Sequence, residues 1–396
     1  VPPITIDLDC PVHDSVRVRQ LAGLFDVPPR QRASQRFHID LPDWFLDSLP
    51  RLKPSAHPPP APAWQIGLIV GPSGSGKTTI ARTLFGDGMV RPRPWPRDCA
   101  VIDGLGDRPV AEITHLLTAV GFSSPPSWLK PYHVLSTGEQ FRCVLARALA
   151  GHLLAEPCLR REPPAEPIVA FDEFTSVVDR NVARVVSTAL AKRFRAGQFA
   201  CRFVAVTCHA DVAAWLAPDW VLDMATGHFS RVCLRRPPIT LELSRCRREI
   251  WPLFARHHYL SGVLAPGARC FVARWENTVA AFCATLSLIG RRNRWRISRI
   301  VTLPDYQGIG IGSRVMEAVA ELHVAEGHRV NLTAAHPAVL AHCRRSPLWR
   351  LIRVQRCGAN RTAQCAKNYV GSTGRSVVSF EYLGETKKPP MADQYQ

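Results

Sequence analysis

Gly71-Pro72-Ser73-Gly74-Ser75-Gly76-Lys77-Thr78 decides the fold of the first part of this chain. An apolar run, Ile66 to Val70, precedes it, and a helical pattern over residues 79–85 follows. Glycines between a strand and a helix let the backbone wrap phosphate oxygens, and the N–H groups converge on them at the helix N-terminus. In the pattern G-x-x-x-x-G-K-[ST] the lysine, here Lys77, reaches the β- and γ-phosphates, and the hydroxyl of Thr78 ligates Mg²⁺. At average glycine usage a chance match in a chain of this length has a probability on the order of 1%. The expected cradle is Gly71, Ser73, Gly74, Ser75, Gly76, Lys77, Thr78 and Thr79.

Working outward, apolar runs at residues 99–102, 168–171, 203–207 and 220–222 read as strands. Helical patterns lie between them at 111–120 and 138–155. This alternation predicts a mainly parallel, doubly wound α/β sheet. The run 168–171 ends in Asp172-Glu173, where Asp172 is placed to hold Mg²⁺ and Glu173 to polarise an attacking water. Leu135-Ser136-Thr137-Gly138-Glu139-Gln140 opens a long helix, and its Ser136 and Gly138 form a second anion-binding helix start. His209 ends the 203–207 strand and is placed to sense a γ-phosphate.

In this order the segments resemble ABC-type ATPases over about residues 63–230. Gly71 to Thr78 looks like Walker A, Leu135 to Gln140 like the LSGGQ signature, and Phe171-Asp172-Glu173 like Walker B. Ser176-Val177-Val178-Asp179 resembles the D-loop, and His209 the switch histidine. The resemblance implies ATP hydrolysis with catalytic roles for Lys77, Glu173 and His209. It also implies a head-to-tail homodimer in which Ser136 and Gly138 of one copy complete the ATP site of the other. The chain departs from the family in having no Gln between Gln65 and Gln140; Asp103, at the end of the 99–102 strand, is the expected replacement at the metal. The 56 residues between Thr78 and Leu135 leave room only for a small helical subdomain.

The second half repeats the strand–glycine–helix logic at another place. Residues 271–274 and 279–287 read as strands paired about a Glu276-Asn277 turn, and 297–303 as a further strand. Gln307-Gly308-Ile309-Gly310-Ile311-Gly312 follows, then a helix from Ser313 to about Ala325. The glycines imply close backbone approach to a phosphate. This stretch resembles the pyrophosphate motif of GNAT acyltransferases, with Gln307, Gly310 and Gly312 in register, and the resemblance covers about residues 240–385. It implies acetyl-CoA or a related acyl donor held by Val301, Gln307, Gly308, Ile309, Gly310, Ile311, Gly312 and Ser313. The glutamate that many of these enzymes carry on this strand is missing, and residues 336–350 lack their tyrosine. His336, Ser346 and Tyr369 are the replacements offered by the sequence. Residues 254–262 resemble the Mom-like branch of GNAT proteins from phages, which modify DNA bases; on that resemblance Tyr259 and Ser261 contact the acceptor and Arg299 faces the cleft.

Charge is unevenly spread: residues 1–235 carry a formal +4 and residues 236–396 a formal +14 of the chain's +18. A basic half predicts a polyanionic partner, with an Arg-rich composition as the bland alternative. Arg291 to Arg296 and Arg344 to Arg350 interleave Arg with Trp295 and Trp349, which suits either base stacking or core closure. The thirteen cysteines form no CxxC pair and read as buried free thiols. There is no long apolar run for a membrane span, and the N-terminus lacks signal-peptide character, so a cytoplasmic protein is expected.

The expected domains are an N-terminal segment with a proline-rich loop (1–62), an ABC-type ATPase domain (63–235), an α+β GNAT domain (236–385) and a polar tail (386–396). The expected function is ATP-driven acyl transfer from coenzyme A to an amine, on nucleic acid and of the phage DNA-modification kind. The alternatives are transfer to a small-molecule or protein amine, and a nucleic-acid-binding ATPase with a silent GNAT module.

Overall fold

The computed structural model describes residues 4–49, 63–153, 167–232, 234, 237–259, 263–288, 290–356 and 374–384. In chain order the elements are β1 (Ile4–Pro11), α1 (Val16–Phe25), β2 (Arg32–Ile39), α2 (Asp43–Asp47), β3 (Ile66–Val70), α3 (Lys77–Phe85), α4 (Val110–Ala119), α5 (Pro125–Trp128) and α6 (Thr137–Leu149). Then come β4 (Ile168–Phe171), α7 (Arg180–Arg195), β5 (Arg202–Thr207), α8 (Val212–Leu216), β6 (Trp220–Asp223) and β7 (His228–Arg231). The remainder is β8 (Glu242–Cys246), α9 (Trp251–Ala255), β9 (Arg269–Trp275), β10 (Thr278–Ser287), β11 (Arg294–Thr302), α10 (Ile311–Ala325), β12 (Arg329–Ala334), α11 (Pro337–Arg345), β13 (Trp349–Arg356) and β14 (Ser376–Tyr382). Contacts divide the chain into two compact units, each assembled from separated segments.

The first unit takes Val1–Arg91, Cys158–Ser176 and Ala200–Arg235. Its main sheet has the order β4-β5-β3-β6-β7, parallel except where β7 runs antiparallel to β6. β4 and β5 are buried at every position and β3 at all but its last, as expected for parallel strands covered on both faces. An aromatic cluster closes one side: Trp220 meets Phe45, Trp64 and Phe229 with centroids 4.8, 5.4 and 5.5 Å away. Gly67 lies beneath Trp220, where a Cβ would fall 2.0 Å from the indole, so only glycine fits.

The second unit takes Pro92–Pro157, Val177–Phe199 and Arg236–Gln396. Its sheet has the order β13-β14-β12-β11-β10-β9-β8. β9 and β10 join through Glu276 and Asn277, both at positive φ (50° and 65°), which is the backbone of a two-residue hairpin turn. Among the described strands of this sheet, β11 and β12 are the parallel neighbours, paired over Arg294–Ile297 and Arg329–Leu332. Val315, Met316, Val319 and Ala320 of α10 pack on this sheet in one core with Val185 and Ala189 of α7.

Several sequence expectations are corrected. Residues 99–102 form no strand: Ala100 bridges Pro131, Val101 N donates to Lys130 O at 2.9 Å, and the backbone turns at once. The stretch makes a single bridge and then turns, with Asp103 N and Gly104 N both donating back to Ala100 O. Asp103 therefore begins a 3-10 turn, not the end of a strand. The signature helix stops at Leu149, short of Gly151, instead of running to Ala155. α10 starts at Ile311, two residues before Ser313, because Gly310 (φ 100°) already supplies the helix cap. Residues 54–62, Ser261, Tyr369 and the tail lie outside the described residues.

Candidate functional site

The first unit brings three sequence-predicted groups to one edge. Loop 71–76 leaves β3, Asp172 and Glu173 leave β4, and His209 follows β5; these strands are parallel neighbours in the order β4-β5-β3. The carboxyl ends of adjacent parallel strands are where α/β sheets hold ligands. Gly74 (φ 78°) and Gly76 (φ 85°) take left-handed backbone, and Gly76 caps α3. A Cβ on Gly71 would lie 2.8 Å from Met224 Cβ. Lys77 is buried, and its ammonium donates to Pro72 O at 2.6 Å, inside the loop that would hold phosphate. Thr78 and Thr79 follow in the first turn of α3, where N–H groups lack helical partners. Phe174 N donates to Val206 O at 2.8 Å and fixes the end of β4 on β5. Glu173 is exposed at φ 52°, a strained backbone that the surrounding structure must hold. His209 is half-buried, its N–H bonded to Thr207 Oγ1 at 3.2 Å. These groups fit a nucleoside triphosphate with its magnesium: loop amides and Lys77 for the phosphates, Thr78 and Asp172 for the metal.

The signature lies in the second unit. Ser136 caps α6 in a reciprocal capping box with Glu139, whose Oε2 accepts from Ser136 N and Oγ, each at 3.0 Å. Ser127 Oγ donates to Glu139 Oε1 at 2.7 Å. The cap positions Ser136 and Thr137 at the surface. Behind them Gly138 packs on Val182 of α7, 3.3 Å from where its Cβ would be. Arg142 is fully buried, and burial lowers its pKa, partly offset by Asp305, Glu139 and Asp179. Burial also raises Asp305 above the usual carboxylate range. Sequence reading missed Arg142; a lone arginine on the apolar face of a helix was the available signal.

The second glycine loop is seated on helices that precede it by more than a hundred residues. Gln307 is buried; its Oε1 accepts from Ser123 N–H at 2.7 Å and its Nε2 donates to Thr302 O at 3.0 Å. Gly308 (φ 92°) abuts Gly121, whose Cα is 2.5 Å from the position of a Cβ. Lys192 of α7 donates to Ile309 O at 3.4 Å. His336, at the start of α11, accepts from Ala338 N–H through Nδ1 and donates through Nε2 to Ser123 O, both at 3.2 Å. Burial lowers its pKa, in keeping with a neutral ring. Gly310 (φ 100°) opens α10, and Gly312 is held so close to Thr302 Oγ1 that a Cβ would lie 2.8 Å away. The first-turn amides of Ile311, Gly312 and Ser313 suit a phosphate, so the loop fits an acyl-CoA pyrophosphate. Nothing in the sequence marks Gly121, Ser123 or Lys192, since these ties are made by folding alone.

Other expected residues are placed as follows. Val301 is buried in a core with Trp251, Phe254 and Phe282. Arg299 donates to its neighbour's carbonyl at Ser298 and to Val263 O, at 2.8 and 2.9 Å. Tyr259 stacks on His258 and lies 6.1 Å from the His336 ring. Ser346 donates to Glu317 Oε1 at 3.1 Å, which His342 shares at 2.8 Å. Trp295 stacks on His323 (4.7 Å) under Arg269, so its ring is used within the chain; Trp349 is buried against Tyr382.

Residues 237–342 match the acetyltransferase (GNAT) family model. No curated protein matches the chain. Among solved structures, an IAA acetyltransferase from Bacillus cereus is 14% identical, over 36% of this chain and 99% of its own, with a TM-score of 0.28. The ribosomal-protein-S18-alanine N-acetyltransferase from Escherichia coli is 16% identical, over 36% and 93%, with a TM-score of 0.28. A dimeric bacterial ABC transporter cassette is 18% identical, over 40% and 80%, with a TM-score of 0.31. Residues 237–342 thus carry the likeness to GNAT acetyltransferases, and the first unit is an α/β fold on a mainly parallel sheet. Among the described residues no helix is long and apolar enough to cross a membrane.

Proposed function

We propose that this chain, with its ABC-ATPase-like fold and its GNAT domain, couples ATP hydrolysis to transfer of an acetyl or related acyl group from coenzyme A to an amine. The observation that carries the coupling is the seating of the acyl-donor loop on the helices around the signature. Gln307 holds Ser123, Lys192 holds Ile309 O, and Gly308 meets Gly121, all within the compact unit that also contains Ser136. A shift of α7 and of the turn after α4 on nucleotide binding therefore acts directly on the loop.

In the ATPase half, Lys77 and the loop amides hold the phosphates, and Glu173 takes the proton of the attacking water. Thr78 and Asp172 would hold a magnesium ion, which would supply neutralisation of phosphate charge. The exposed Ser136 faces the nucleotide of a second copy, which makes the working form a homodimer. In the GNAT half, the amine nitrogen bonds to the thioester carbonyl carbon, the C–S bond breaks, and the amine proton leaves to water. Positioning supplies most of that acceleration. The net +14 of residues 236–396 favours an acceptor on nucleic acid.

The test is transfer of labelled acetyl from acetyl-CoA to DNA, RNA and small amines, with and without ATP, by wild type and Lys77→Ala. Transfer to nucleic acid that requires ATP and fails in Lys77→Ala supports the reading. Transfer to small amines that ignores ATP would sink the coupling. Firm acetyl-CoA binding with no transfer to any acceptor favours a silent module, which the absent strand glutamate and helix tyrosine support.

A further inference from the structure

At the opposite end of α10 from the acyl-donor loop lies a second cluster, unrelated to either phosphate site. The helix closes on Gly327 (φ 81°), and His328 N donates to His323 O at 2.9 Å. This backbone closure folds the chain back on itself and sets His328 beside the last turn. His323 is 1% exposed; its Nε2 is 2.9 Å from Thr285 Oγ1, and Trp295 stacks on its face. Its Nδ1 is buried without a hydrogen-bond partner and points to Glu326 Oε2 at 3.7 Å. His328 Nε2 lies 3.5 Å from the same oxygen.

We propose that His323, Glu326 and His328 form a site for a divalent transition-metal ion of the zinc type, with water as the fourth ligand. Zinc bonds of about 2.0–2.1 Å at tetrahedral angles put ligand atoms roughly 3.3–3.4 Å apart, so small movements complete the site. Among the described residues this is the only group of three or more such donors within reach of one ion. With Nε2 committed to Thr285, the buried ring turns Nδ1 toward a carboxylate at a distance too long for a hydrogen bond, and a cation between them satisfies both. Thr285 then acts as the outer partner that orients a metal-binding imidazole. Two imidazoles and a carboxylate suit zinc, nickel or cobalt better than calcium or magnesium. Arg269 occupies Glu326 Oε2 and the Trp295 face in this structure, so it competes with the ion.

The test uses the full chain, stripped with chelator under reducing conditions and titrated with Co²⁺ and then Zn²⁺. Wild type is expected to take one Co²⁺ with tetrahedral visible bands that Zn²⁺ abolishes. The surface variant Glu326→Gln and the variant His328→Gln are expected to weaken binding at least tenfold, and Arg269→Gln to strengthen it. Absence of these bands in wild type, or equal affinity in Glu326→Gln and His328→Gln, overturns the site. Neither result depends on ATP or coenzyme A.

Discussion

At the residue scale, Glu173 is exposed on strained backbone one residue beyond Asp172, where the sequence pattern places a general base. Glu173→Gln keeps the shape and the phosphate cradle but cannot accept a proton. Its ATP turnover should fall by about 10²–10⁴-fold with ATP affinity nearly unchanged, as read by phosphate release and nucleotide titration. His323 makes a separate prediction. Burial first of all lowers its pKa to about 4, from 6.5. Between those values the unfolded chain binds more protons than the folded one, so stability present at neutral pH is lost as pH falls through that window. Denaturant midpoints in metal-free buffer should decline from about pH 6.5 to 4, and less so in His323→Gln. A flat midpoint over that range would contradict the buried neutral ring.

At the element scale, the contact of Gly308 with Gly121 is too close for a side chain. Gly308→Val places carbon within 2.5 Å of Gly121 Cα and forces a β-branched residue to φ 92°. Backbone strain and overpacking together should cost about 2–4 kcal/mol in chemical denaturation and weaken acetyl-CoA binding. A stable Gly308→Val protein with normal acetyl-CoA affinity would show that the seating is loose. Ser136→Ala removes the cap of α6 and should cost about 1 kcal/mol, with a larger loss of ATP turnover if Ser136 also meets nucleotide across a dimer. The glycine loops themselves were legible because loop geometry demands particular residues at fixed spacing. Residues 99–102 were misread because apolar content alone does not give a strand; the ladder needs a neighbour, and here the neighbour is Pro131.

At the scale of the whole molecule, ATP should drive association. Glu173→Gln with ATP and Mg²⁺ should elute as a dimer in gel filtration and return to monomer with ADP, while Lys77→Ala stays monomeric. The basic half makes a parallel expectation: DNA or RNA affinity should fall steeply with salt, and neutralising Arg291, Arg292 and Arg294 should flatten that slope. An affinity indifferent to salt would remove nucleic acid from the proposal.

The sequence by itself determined both glycine loops with the helices they open, the helix start at Ser136, the carboxylate pair after β4 and the α/β class, because each rests on local spacing that backbone geometry imposes. Only the tertiary structure decided what the loops rest on. Ser123, Gly121 and Lys192 meet the second loop, and His328 meets His323, through folding of distant or reversed segments that carry no periodic signal. The same holds for the interleaving of residues 92–157 and 177–199 with the GNAT sheet, which long-range burial fixes and composition cannot reveal.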